Sequence, residues 1–144
     1  MRNEPKKAHK MVRVVVDTNV LVSALISQGK PRNLLLNLIE NHTIIFSNQM
    51  LAELADVLSR KKFREIQSSQ INRFLTGLVK TSKVVKVTSK FKVVTEDPND
   101  DIVLNTAYDA KADYIVTGDK HLLTIKKFKD TEIVNINEMT KIIS

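Results

Sequence analysis

The 144-residue sequence contains no cysteine and no tryptophan, and only three glycines and three prolines. Without cysteine there is no disulfide, no thiolate-held zinc or iron–sulfur cluster, and no thiol nucleophile. The same lack fits a reducing compartment, so a cytoplasmic location is expected. Three glycines are too few for the loops that cradle phosphates in mononucleotide and dinucleotide sites, and no G-x-S-x-G elbow is present. Scarce glycine and proline also exclude collagen-like and linker-like chains. No apolar run nears the roughly 20 residues of a membrane span. Arg13 and Asp17 interrupt the first apolar stretch, which makes it a poor signal peptide. Five Phe and two Tyr offer a thin platform for base stacking, so no sequence-specific readout is evident.

What is present is ordinary globular material with uneven charge. Hydrophobic residues make up 42% and charged residues 27%, enough for one domain over residues 11–144. Residues 1–10 are polar and aperiodic and read as a flexible tail. The net charge is +7. Residues 60–92 carry ten basic side chains and one acid; residues 93–110 carry five acids and no base. A basic block beside a carboxylate cluster suits a phosphate-backbone substrate next to a cation site. Lys61, Lys62 and Arg64 are the candidate backbone contacts. A solvated lysine face is the alternative.

Periodicity gives an alternating chain of strands and helices. Residues 12–16 are nearly continuously apolar and β-branched, as in a strand covered on both faces. Helices are expected over 19–27 and 31–41, a strand over 43–46, and a helix capped by Ser47. A further helix begins at Ser68 or Ser69 and carries Ile71, Phe74, Leu75 and Leu78, which could supply a dimer interface. A strand at the sheet edge is expected over 84–87, given its lysines. Asp97-Pro98-Asn99-Asp100 opens a helix that runs to about Lys111. Strands at 114–116 and 132–134 and helices at 119–126 and 136–142 complete the order. Such alternation predicts an α/β fold: a parallel sheet between two helical layers, with ligands beyond the carboxyl ends of the strands where strand order reverses.

Four acids fall near those ends. Asp17 follows the first strand, Asp119 follows the 114–116 strand, Asp100 opens the helix before that strand, and Glu53 lies in the helix after the second. At about 100° per residue Asp100 shares the apolar stripe of Val103, Leu104 and Ala107, whereas Asp101 lies at the stripe's edge. An inward acid is costly unless something pairs it. Singly, Asp17 reads as a loop residue and Asp97 and Asp119 as helix caps. Jointly, converging carboxylates call for a cation, and an oxygen-only donor set selects Mg²⁺ or Mn²⁺. His9, His42 and His121 share no metal-ligand spacing and read as surface residues. Two other classes remain: a nucleic-acid-binding module whose acids are structural, and a phosphotransfer protein using Asp17 as nucleophile. The latter lacks a second Asp two residues on, where Asn19 stands.

Four segments in order carry a resemblance: Val15-Val16-Asp17-Thr18-Asn19-Val20, Met50-Leu51-Ala52-Glu53-Leu54, Asp97-Pro98-Asn99-Asp100-Asp101, and Ala112-Asp113-Tyr114-Ile115-Val116-Thr117-Gly118-Asp119-Lys120. With these the chain resembles PIN-domain ribonucleases, most of all the branch described as toxin components of toxin–antitoxin systems. The resemblance implies a three-layer α/β/α sandwich with a five-stranded parallel sheet. It implies an acidic quartet of Asp17, Glu53, Asp100 and Asp119 holding one or two Mg²⁺ or Mn²⁺ ions. Asn19 and Thr117 would be supporting polar residues, Asn19 fixing a carboxylate and Thr117 serving Asp119. Asp101 stands where relatives often carry Asn. The implied activity is metal-dependent hydrolysis of RNA, with an antitoxin protein and a second copy of the chain as partners; other members of the family act in RNA processing.

Overall fold

The computed structural model describes residues 10–60, 66–94 and 97–144. The candidate backbone contacts Lys61, Lys62 and Arg64, and all of the expected N-terminal tail but Lys10, lie outside the described residues.

The chain runs β1 (Arg13–Val16), α1 (Thr18–Ile26), α2 (Lys30–Asn41), β2 (Thr43–Ser47), α3 (Asn48–Leu58), α4 (Ser68–Thr81) and β3 (Ser82–Val85). It continues with α5 (Pro98–Ala110), β4 (Tyr114–Val116), α6 (Lys120–Ile125), β5 (Lys127–Phe128), β6 (Thr131–Val134) and α7 (Ile136–Ile143). The sheet order is β3-β2-β1-β4-β6-β5. The first five of these are mutually parallel, as expected; β5 adds a sixth, antiparallel strand at the edge.

β1 lies in the middle, and its sequence explains why. Successive strand residues point to opposite faces, yet Val14, Val15 and Val16 are all buried, so helices cover both sides. From β1 the chain winds outward through β2 to β3, then crosses back to β4 on the other flank. Strand order therefore reverses between β1 and β4, which places the ends of these two strands at the crevice where ligands bind in open α/β sheets.

Local chemistry secures the connections around that crevice. Arg32 of α2 donates to the carbonyls of Ala24 and Leu25, closing the carboxyl end of α1. Arg13, the one charge in β1, donates twice to the Ala110 carbonyl and closes α5 in the same way. Ser47 caps α3 as expected, accepting from the Met50 amide, and also accepts from the Thr106 hydroxyl. The stripe of Ile71, Phe74, Leu75 and Leu78 on α4 packs against the chain's own core.

Two strand expectations need correction. β3 does sit at the edge, but over Ser82–Val85 rather than 84–87. The β5–β6 hairpin is absent from the sequence-based expectation, because no glycine or Asn-Gly pair marks its turn. Lys129 takes the left-handed conformation there instead (φ 53°), with its ammonium 5.0 Å from the Phe91 ring centre.

Candidate metal centre and active site

Asp17 ends β1 and caps α1. It is 6% exposed, and both of its carboxylate oxygens are engaged. Oδ1 accepts from the Thr18 amide at 2.8 Å. Oδ2 accepts from the Thr117 hydroxyl at 2.7 Å and from the Asn19 amide group at 3.2 Å. Three donors hold the carboxylate in one orientation and leave a lone-pair site on Oδ1 for a cation. Burial raises its pKa, against the lowering effect of the Thr117 and Thr18 bonds.

Across the crevice, β4 ends in Thr117-Gly118-Asp119. The Asn19 side-chain oxygen accepts from the Gly118 amide at 3.2 Å, tying the β1 and β4 ends together. The Thr117 hydroxyl also accepts from the Asp119 amide at 3.0 Å. Thr117 thus donates to the carboxylate of Asp17, not to that of Asp119; its hold on Asp119 is through the backbone. Asp119 caps α6, its Oδ1 accepting from the His121 amide at 2.8 Å.

Glu53 projects from α3, where its Oε1 accepts from the Thr18 hydroxyl at 2.9 Å. Asp17, Thr18, Asn19, Glu53, Asp97 and Asp119 line one cleft of about 280 Å³. Four of these are acids. Thr18 carries no sequence signal, since a threonine in a first helical turn reads as ordinary. Asp97 does cap α5, accepting from the Asn99 amide, but it also faces this cleft.

Asp100 and Asp101 part company as the helical phase requires. Asp100 is 4% exposed, and its Oδ2 is buried with no hydrogen-bond partner among the described residues. Burial first, then the charges of Asp119, Asp97 and Asp17, push its pKa up to about 8. A buried carboxylate oxygen with no donor, facing other carboxylates, fits a hard divalent cation. Asp101 turns elsewhere: its Oδ1 accepts from the amides of Val93 and Val94 and pins that segment to α5. Asp101→Ala should therefore cost about 1–2 kcal/mol in chemical denaturation, because two amides lose their acceptor. Asp101→Asn keeps an acceptor and should cost less, and divalent-metal titrations of both should match the parent.

The histidines also separate. His42 is a half-buried structural group whose Nδ1 accepts from the Val12 amide at 3.1 Å, and burial lowers its pKa. His121 is exposed as expected, but it is not remote from the acids. One ring nitrogen lies with carboxylate oxygens of Asp100 and Asp119 in a group spanning no more than 4.8 Å.

Among the described residues no helix is long and apolar enough to cross a membrane. The family model described as PIN domain matches residues 13–121. An uncharacterized protein of Methanocaldococcus jannaschii, MJ1680, is 32% identical over 119 residues, covering 80% of this chain and 76% of that protein. The structure of VapBC2 from Rickettsia felis bound to a DNA fragment from its promoter aligns with a TM-score of 0.63 at 22% identity, covering 85% of this chain and 98% of the matched chain. PAE2754 from Pyrobaculum aerophilum aligns with a TM-score of 0.55 at 18% identity, covering 91% and 89%. At these identities the two structures establish a shared fold. The matched segment 13–121 contains every acid of the cleft, and the chain belongs to the PIN domain family, whose members are typically nucleases.

Proposed function

We propose that the protein is a divalent-metal-dependent endoribonuclease acting as the toxin of a toxin–antitoxin pair. The observation that carries the hydrolytic reading is the partnerless oxygen of buried Asp100, a carboxyl that feels the charges of Asp119, Asp97 and Asp17. Asp17, Asp100 and Asp119 would hold Mg²⁺ or Mn²⁺, with Glu53 lining the same cleft as Asp17 and Asp119. When bound, such an ion lowers the pKa of a water and offsets charge on the phosphate oxygens. Asn19 and Thr117 keep the Asp17 carboxylate in one orientation. Thr18 engages Oε1 of Glu53, and among the described residues no donor engages Oε2. That oxygen is the base that orients the attacking water and takes its proton. Water adds to phosphorus, the bond to the leaving sugar oxygen breaks, and that oxygen gains a proton. The Rickettsia felis relative is a VapBC2 assembly on promoter DNA, which supports an antitoxin partner for this chain as well.

The reading is tested with purified protein and labelled single-stranded RNA. Protein stripped with EDTA should be inactive, and added Mn²⁺ should restore cleavage; undiminished cleavage in EDTA would refute it. Substrate grip falls to the basic block of residues 60–92. Exchanging Lys61, Lys62 and Arg64 together for Gln should weaken RNA binding without changing sequence preference. It should flatten the dependence of log affinity on log salt by up to about two, at roughly 0.7 per lost phosphate contact. An unchanged slope would make the block a solvated face.

A further inference from the structure

We propose that His121 is a ligand of the same cation, making the centre a mixed carboxylate–imidazole site that prefers Mn²⁺ to Mg²⁺. The proposal rests on the metal-dependent reading above and adds a ligand to it. Three observations carry it. Ligand atoms of Asp100, Asp119 and His121 all lie within 4.8 Å of one another. Donors about 2.1 Å from a common ion sit up to roughly 4.2 Å apart, so a small adjustment closes this group around one cation. Second, Asp100 belongs to this group, and its Oδ2 is a buried acceptor with nothing to accept from. Third, the His121 ring is uncommitted. Its Nδ1 is 3.6 Å from Asp119 Oδ1, too long for a hydrogen bond, and among the described residues the ring makes no other polar contact. The backbone explains how the ring comes to be there. Asp119 caps α6 by accepting from the His121 amide, so carboxylate and ring are held at the same helix end.

The donor set then decides the metal. Mg²⁺ favours oxygen ligands and gives up its waters reluctantly, whereas imidazole raises affinity for transition metals. A neutral ring also completes the coordination without adding a further negative charge to Asp17, Asp100 and Asp119.

The test needs no substrate. Mn²⁺ is titrated into the parent, His121→Ala and His121→Asp proteins, and each is examined by pulsed EPR; metal-free melting curves confirm that the variants fold. The parent should show nitrogen hyperfine coupling on bound Mn²⁺, and His121→Ala should lose it. Mn²⁺ affinity of the alanine variant should fall about 10- to 100-fold, while Mg²⁺ affinity changes no more than about threefold. His121→Asp, which returns an oxygen donor, should bind Mg²⁺ at least as tightly as the parent and show no nitrogen coupling on Mn²⁺. Mn²⁺ bound to the parent without nitrogen coupling would overturn the proposal and leave the metal-dependent reading standing. Coupling that survives in His121→Ala would also overturn it. Failure of the parent to bind Mn²⁺ at all would overturn both.

Discussion

Asp100→Asn should abolish Mn²⁺ binding and lower RNA cleavage by about a hundredfold or more, while making the metal-free protein more stable at pH 9. Both effects come from one oxygen. In the parent, Asp100 Oδ2 is buried without a donor, and Asp119, Asp97 and Asp17 place like charge around the carboxyl. Asn has the same shape and no charge, so it removes the ligand and the repulsion together. The gain should be about 1–3 kcal/mol, or roughly 3–10 °C in melting temperature. At pH 5 the parent carboxyl is already protonated and the gain should vanish. A variant that still cleaves with Mn²⁺, or that is less stable than the parent at pH 9, would show that Asp100 is not a metal ligand held against repulsion. The contrast with Asp101→Asn is direct, because Asp101 spends its oxygen on the Val93 and Val94 amides.

Metal affinity should tighten steeply with pH. The Asp100 carboxyl titrates at 3.8 in an unperturbed chain and at about 8 in the fold. Between these values the native protein holds a proton that the unfolded chain has released, so the metal-free protein loses stability as pH rises through this window. Asp17, raised by burial, acts in the same direction. A divalent cation has to displace the Asp100 proton. Affinity should then rise by up to about tenfold per pH unit from pH 6 to pH 8 and level off above that. Calorimetry in buffers of different ionisation heat should record close to one proton released per ion at pH 7. Saturating Mn²⁺ should remove most of the pH dependence of the melting temperature. Affinity that stays flat from pH 6 to pH 8 would mean that no raised carboxyl takes part.

How far the site is legible in the sequence depends on which periodicity each residue obeys. Asp17 stands out because an unbroken valine run can only be a strand covered on both faces, and the residue after such a strand lies at the sheet's carboxyl end. Asp100 stands out because an acid at helical spacing with Val103, Leu104 and Ala107 must face inward. Neither argument reaches a contact made between elements distant in sequence. Thr18 meets Glu53 across 35 positions, and Thr117 meets Asp17 across 100. Threonine looks the same in sequence whether its hydroxyl serves the backbone or a distant carboxylate, so Thr18 goes unnoticed and Thr117 is matched to the wrong acid. His121 is two residues from Asp119 but 21 from Asp100, and only the crossing from α5 through β4 to the start of α6 brings all three together. The β5–β6 hairpin escapes for a different reason: its left-handed residue is a lysine rather than a glycine.

The most direct test of the carboxylate centre is anomalous scattering from a crystal of the parent protein equilibrated with Mn²⁺ at pH 8. A manganese peak should lie about 2.1 Å from carboxylate oxygens of Asp17, Asp100 and Asp119. Peaks confined to other surfaces, with no density between these three residues at saturating Mn²⁺, would contradict it.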